Sequence, residues 1–447
     1  MTTQDSSQPD QLNFRRLLPI LVIVFVDVMG LTIIIPILPF YAIAFDASPA
    51  MIGVLLSVYP LMQFIFAPIL GGFSDRFGRK RVLTIAQIGT FCSLLVLGFS
   101  TSLWMLFLAR VIDGITGANM STAQSAISDS TSPQNRAKGL GLIGAIFGIS
   151  FVIGPALSGV ALRLSGNNYS APAFMAACFA LTSVILTSFI FEETLSPEKR
   201  GQGPVRRHNL GRMVTSLADP KLGVLFMLVL LYQTIFGSFQ ATFAPFVLNL
   251  LGLNSLGSAI FFTLFGVILA IIQGGLVGPL NTRFGERRLV FWGLALFALG
   301  FLLTSFTPQQ AVPWYSQEAM LSELSQQTGA NIAEIDPAQL ALLPPNENRG
   351  YGALIFMILA LLPMPVGIGL LQPNISSLVT KRADPRKIGE SLGLSSAYMA
   401  AGTAIGPITG GVIFDVFGPN TLYLVNGLAA AGLFGLILYR LRPESES

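Results

Sequence analysis

Gly71-Gly72-Phe73-Ser74-Asp75-Arg76-Phe77-Gly78-Arg79-Lys80-Arg81 lies between two long apolar stretches. A diverged copy, Gly278-Pro279-Leu280-Asn281-Thr282-Arg283-Phe284-Gly285-Glu286-Arg287-Arg288, returns in the second half. A basic turn between apolar helices, present once per half, marks a duplicated membrane architecture. Gly285 follows Gly78 by 207 residues, and the same shift carries Gly30 to Gly237. Further on, Gly154-Pro155 recurs as Gly406-Pro407, an offset of 252 that also relates Gly117, Gly141, Gly159 and Gly166 to Gly369, Gly393, Gly411 and Gly418. The offsets differ by 45, so the second half holds about that many extra residues between its third and fourth helices, where the polar stretch 307–350 lies.

Hydrophobic residues make up 52% of the chain and charged residues 11%, with mean hydropathy +0.68. A soluble domain carries about 25% charged residues. Twelve apolar runs have the length needed to span a bilayer: 17–42, 50–72, 82–100, 103–127, 139–163, 171–191, 222–248, 256–280, 288–306, 351–376, 388–414 and 420–440. They read as helices, which satisfy their own backbone in lipid. The expected fold is an all-α polytopic membrane protein with twelve transmembrane helices, arranged as two pseudo-symmetric six-helix bundles around a central cavity. Residues 1–191 form the first bundle, 192–221 a cytoplasmic linker and 222–447 the second bundle, with 307–350 as an extracytoplasmic insertion between helices 9 and 10.

Orientation follows from Lys and Arg, which favour cytoplasmic loops. With the N-terminus inside, 23 of the 26 fall on inner segments; only Arg163 and Arg349 fall outside, and Arg110 lies within a helix. Both termini are therefore expected in the cytoplasm. The net charge of +4 reports this topology, not nucleic-acid binding. The polar N-terminus enters a run too long for the apolar core of a signal peptide, so it reads as a retained first helix. The insertion carries Glu318, Glu323, Glu334, Asp336 and Glu347 but no Lys, which fits the outer side. Ser316 to Gln327 reads as a short amphipathic helix, and Asp336-Pro337 as a helix start. A tolerated surface loop is the plainest reading of 307–350; an exit cap or a contact for an external partner are the others.

Cys92 and Cys178 lie in apolar helices and His208 is the single histidine, so neither a disulfide framework nor a metal-ligand set is expected. The glycine spacing of the basic turn, followed by Arg-Lys, is not that of a phosphate-binding loop. No cofactor and no nucleophile–base pair is expected, so the chain does not read as an enzyme.

Ionisable residues inside spanning helices cost about 3 kcal/mol or more and are usually paired or functional. Asp27, Arg110 and Asp113 are such residues, and counting about 1.5 Å per residue places them at comparable depth. Arg110 and Asp113 are three apart and share a helix face. They read either as a proton-coupling site, since Arg alters the proton affinity of a buried carboxylate, or as a static ion pair. Arg110 and Asp113 map onto Leu362 and Pro365 in the second half, and Asp27 onto Thr234, so any coupling belongs to the first half. In the basic turn, Gly71, Gly72, Asp75, Arg76, Gly78, Arg79 and Lys80 are candidates for a cytoplasmic gate, with Asp129 at the right level to meet Arg79; topology signalling alone is the alternative. Gly148, Gly154, Pro155 and Gly159 form a small-residue stripe that permits close helix contacts. Gln63, Asn119, Gln124, Gln233, Gln240, Gln372 and Asn374 are the candidate polar lining of the cavity.

These residues resemble the major facilitator superfamily over nearly the whole chain except 307–350. Gly71 to Arg81 is similar to its signature turn between helices 2 and 3. Arg110 to Gly117 resembles the helix-4 motif whose Arg is assigned to proton transfer, and Gly148 to Gly159 the helix-5 antiporter motif. Asp27-Val28-Met29-Gly30 with Pro36-Ile37-Leu38-Pro39 looks like the first helix of drug/proton antiporters, and the likeness is greatest to tetracycline efflux proteins. Helices 82–100 and 288–306 lack the membrane acids that tetracycline exporters carry there. The resemblance implies a proton-coupled antiporter exporting a small lipophilic or drug-like compound by alternating access. It also implies a monomer, with the substrate and the bilayer as partners, in a bacterial inner membrane. A facilitator or uptake symporter of a metabolite is the nearest alternative. A non-transporting receptor or scaffold using 307–350 is the alternative of another class.

Overall fold

The computed structural model describes residues 14–117, 119–130, 136–195, 200, 210–328, 342–346, 348–384 and 388–440. The first half contains α1 (Phe14–Ile34), α2 (Leu38–Ala44), α3 (Pro49–Phe77), α4 (Arg79–Gly98), α5 (Leu103–Thr116), α6 (Asn119–Asp129), α7 (Arg136–Leu164) and α8 (Ser170–Phe189). A short helix, α9 (Leu210–Ser216), follows. The second half contains α10 (Gly223–Leu251), α11 (Ser255–Ile271), a π-helical turn (Ile272–Leu276), α12 (Val277–Phe284), α13 (Glu286–Thr304), α14 (Gln317–Thr328), α15 (Gly352–Leu361), α16 (Pro363–Arg382), α17 (Ile388–Phe417) and α18 (Pro419–Arg440). Among the described residues the only β pairing is an isolated bridge between Ala311 and Arg349.

Among the described residues, eleven helical stretches are singly long and apolar enough to cross a membrane. The twelfth run, expected at 103–127, is split into α5 and α6 at Gly117. Breaking a helix within a membrane frees backbone groups that a neighbour must satisfy. Here Gln63 of α3 donates its Nε2 to the Gly117 carbonyl at 2.6 Å. Turn chemistry sets the other boundaries. Ser48 caps α3 through Met51 N–H at 3.3 Å. Gly78 and Gly285 join helix pairs with φ of +100° and +76°, values that suit glycine.

Because the spans alternate in direction, the turns at 78 and 285 share one end of the molecule, termed the basic end. The insertion occupies the opposite, far end. The two halves meet through α3 against α17 and α7 against α11. The contact is backbone to backbone and lies toward the far end. A Cβ on Gly53 would fall 2.1 Å from the Pro407 carbonyl oxygen, and one on Gly411 would fall 2.4 Å from that of Pro49. A Cβ on Gly266 would lie 2.2 Å from the Phe151 carbonyl oxygen. Toward the basic end the same helix pairs behave differently. Gly71 and Gly72 of α3 and Gly393 of α17, and likewise Gly274 and Gly275 of the π-turn and Gly278 of α12, have nothing within 4 Å among the described residues. Among the described glycines, backbone contact between the halves is confined to the far end.

Overpacking of this kind costs typically 1–3 kcal/mol. Gly53→Val is expected to lower the unfolding temperature in detergent by several degrees and to wedge the far ends apart. Gly432→Ala, in open space on α18, is expected to leave the unfolding temperature unchanged or slightly raised. Thermal unfolding of the purified protein checks both.

Candidate functional site

Four helices of the first half, α1, α3, α4 and α5, carry the expected membrane charges and the side chains around them. Arg110 and Asp113 of α5 are 3% and 5% exposed, and Arg110 Nη1 lies 3.3 Å from Asp113 Oδ2. The guanidinium also stands over the Tyr59 ring of α3, 6.0 Å from its centroid. Thr90 and Ser93 of α4 face the Asp113 carboxylate. Asp27 of α1 is half-buried, and its charge reaches Tyr59 together with those of Asp113 and Arg110. The Tyr59 hydroxyl accepts a long hydrogen bond from Gln63 Nε2 at 3.4 Å. Arg110 Nε and Nη2 are buried without a hydrogen-bond partner among the described residues. Such donors are costly to strand in low dielectric, so this guanidinium holds binding capacity that Asp113 does not use.

The basic turn forms a compact ion network. Arg79 is pinned by Asp75 at 2.6 Å, by Asp129 at 3.2 Å and by the Ser74 hydroxyl at 3.1 Å. Glu193, beyond α8, accepts the Arg79 and Lys80 backbone N–H groups at 2.9 and 3.3 Å. It presses so close to Gly78 that a Cβ there would fall 2.2 Å from its Oε2. Arg76 is exposed and leans over the Phe77 ring.

The second half carries a charge-reversed counterpart. Arg79 maps by the offset of 207 onto Glu286, and Asp129 by the offset of 252 onto Lys381. Glu286 Oε1 accepts from Lys381 Nζ at 2.5 Å and from Ser377 Oγ at 3.2 Å. Each half thus ties the start of its third span to the end of its fourth by an ion pair of opposite polarity. The two pairs differ in burial: the Arg79 side chain is 8% exposed and that of Lys381 62%.

The α7 glycines divide between two jobs. A Cβ on Gly154 would lie 2.0 Å from Thr32 Oγ1, and that hydroxyl donates to the Ser150 carbonyl at 3.0 Å, locking α7 to α1. Gly148 and Gly159 face the second half, toward Gln273 of the π-turn and toward Leu256 and Ala259. Pro155 lies within α7.

The candidate cavity polars are scattered in role. Gln63 is engaged by the broken helix. Gln233 donates to Thr403 Oγ1 at 3.4 Å and leaves its Oε1 buried without a partner. Asn374 is fully buried and donates to the Leu370 carbonyl at 2.6 Å. Gln240 is half-buried and Gln372 exposed. The side chains of Asn119 and Gln124 on α6 lie outside the described residues, as does Asp336-Pro337. Tyr59, Glu193 and the Glu286–Lys381 pair were not singled out from the sequence. The repeat offsets were sufficient to find the last.

The Major Facilitator Superfamily family model matches residues 20–331 and 337–447. The chain belongs to this superfamily. It is 35% identical to the class B tetracycline resistance protein of Escherichia coli over 290 residues, covering 64% of this chain and 71% of that one. It is 26% identical to multidrug resistance protein 1 of Bacillus subtilis (strain 168) over 412 residues, 92% of each. Among solved structures it resembles the human organic anion transporter MFSD10 (TETRAN) with a TM-score of 0.66 and 21% identity, over 97% of this chain and 100% of that one; that likeness concerns the fold. The protein is accordingly an integral, multi-pass membrane transporter.

Removing one partner of a buried pair costs about 3–5 kcal/mol, whereas exposed pairs are worth about 0–1 kcal/mol. Arg79→Ala is therefore expected to destabilise by about 3 kcal/mol, the low end, because Asp75 and Asp129 keep 24% and 30% exposure. Lys381→Ala should barely shift the unfolding temperature. In a transport assay, combining Glu286→Lys with Lys381→Glu is expected to recover the rate lost in either single change.

Proposed function

We propose that this transporter is a proton-coupled antiporter that exports a small lipophilic or drug-like compound by alternating access. The carrying observation is Arg110, buried with one nitrogen on Asp113 and two stranded. A carboxylate in a dry cavity prefers its neutral form, and a guanidinium that turns toward it favours the charged form. Movement of Arg110 between Asp113 and a second anionic group changes which carboxylate holds a proton. Asp27 is the proton carrier on this reading, Arg110 its modulator, and Asp113 the group that neutralises Arg110 between turnovers.

The basic end is cytoplasmic by its Lys and Arg content. Both termini then lie inside, and the described conformation is the one open to the cytoplasm. Asp75, Arg79 and Asp129 stiffen the surface that must meet α17 when that side closes. Residues 1–191 and 222–447 act as the two rocking bodies and 192–221 as the linker, in a monomer within a bacterial inner membrane. The relatives' names point to tetracycline-like and multidrug substrates; the absence of acids in 82–100 and 288–306 favours lipophilic compounds over tetracycline itself.

Proton flux in proteoliposomes under an imposed pH gradient tests this, using tetracyclines and lipophilic cations on wild type and Asp27→Asn. Substrate-dependent proton movement is expected in wild type and should fall at least about tenfold in the variant, the equivalent of about 1.4 kcal/mol. Substrate movement without proton flux, unchanged in Asp27→Asn, would refute coupling and favour a facilitator.

A further inference from the structure

The insertion is built as a bracket. Its base is anchored on the second half, where Gln310 and Val312 N–H groups donate to the Leu250 and Leu251 carbonyls at 3.0 and 2.9 Å. Its helix, α14, then reaches across to the first half and packs against α2. Met320, Glu323 and Leu324 form its buried face, so a carboxylate occupies a position that the helical period assigns to an apolar side chain.

Glu323 is 8% exposed and accepts four hydrogen bonds, two from each half. Its Oε1 takes the Tyr169 hydroxyl of the first half at 2.9 Å and the Ser255 hydroxyl of the second at 3.1 Å. Its Oε2 takes Asn167 Nδ2 of the first half at 2.9 Å and Asn254 Nδ2 of the second at 2.9 Å. Each oxygen therefore bridges the two bundles. One turn on, Gln327 grips the same first-half loop, accepting the Tyr169 N–H at 3.0 Å and donating to the Asn167 carbonyl at 3.0 Å. None of these partners is a cation. The charge is met by donors and by the N-terminal ends of α8 and α11, where helix dipoles favour an anion. Burial and the adjacent carboxylate push the Tyr169 hydroxyl well up, so it remains a donor.

We infer that Glu323 is a clasp that holds the far ends of the two halves together and must release in every cycle. It is a positioning residue that touches no substrate, and it sets the balance between the two alternating states. The inference rests on the alternating-access reading above. When the far ends part, the loop at 167–169 leaves the α11 N-terminus, and α14 keeps at most the donors of one half. Hydrogen bonds to a charged group are stronger than those between neutral groups, so the clasp biases the protein toward the far-end-closed state.

The test is a distance measurement on the full chain in lipid nanodiscs without substrate. Cys92→Ser and Cys178→Ser remove the exposed native thiols. Spin labels go on Leu164→Cys and Phe306→Cys, which are exposed at the far end of opposite halves. Glu323→Ala is expected to raise the population of the longer distance about tenfold, the loss of roughly one charge-assisted bond. Glu323→Gln should give a smaller rise, because its amide can donate to the Tyr169 and Ser255 hydroxyls while losing the charge. Glu318→Ala, on the exposed face of α14, should match the parent. Should Glu323→Ala fail to fold, Asn167→Ala removes one first-half donor and carries the same expectation. Gly53→Val serves as the wedge that parts the far ends by another route. A longer distance in Gly53→Val but none in the Glu323 variants overturns the clasp alone. A single distance in every variant overturns alternating access with it.

Discussion

The approach of the two bundles at backbone distance, between α3 and α17 and between α7 and α11, is the constraint on which the rest depends. Membrane helices gain little from the hydrophobic effect when they associate, because lipid tails are as apolar as their side chains. Close van der Waals packing must supply much of the attraction, and backbones can approach one another only where the side chains between them are small. Gly53, Gly266 and Gly411 provide that at the far end. Gly71, Gly72 and Gly393 at the basic end have no such neighbour among the described residues.

Polar chemistry is distributed to match. Buried charge is concentrated in the first half, where Arg110 and Asp113 are held by α3 and α4 as well as by each other. The second half instead fills its interior with aromatic contacts. Phe239 alone packs against Phe243, Phe262, Phe265, Phe301 and Tyr423. At the basic end both halves retain an ion pair at the duplicated position, one buried and one largely exposed. At the far end the Glu323 carboxylate spans them.

Much of the candidate site is legible in the sequence alone. Arg110 and Asp113 announce themselves as charges three apart in an apolar run, and Arg79 with Asp129 follows from helix direction. Gln63 was readable only as a polar residue in a membrane helix. Its task, satisfying the carbonyl at a helix break, depends on Gly117 arriving beside it from another span. Tyr59 is one of nine tyrosines and nothing local distinguishes it. Glu193 sits in a segment without periodic signal, and its contact with the basic turn is made across more than a hundred residues. The plainest sequence reading of 307–350, a tolerated loop, does not hold for α14, which is wedged between the halves. The warning sign was present as Glu323 in the buried register of an amphipathic helix.

The duplication, the all-helical membrane fold and the confinement of charge to a few depths follow from the one-dimensional pattern. Apolar length, Lys and Arg placement and internal offsets are local properties that need no partner to be read. The tertiary structure decided which end is closed, where a span breaks, and which carboxylates meet which donors. Those outcomes depend on contacts between helices far apart in the chain, and a one-dimensional pattern records the face of a helix but not the neighbour it meets.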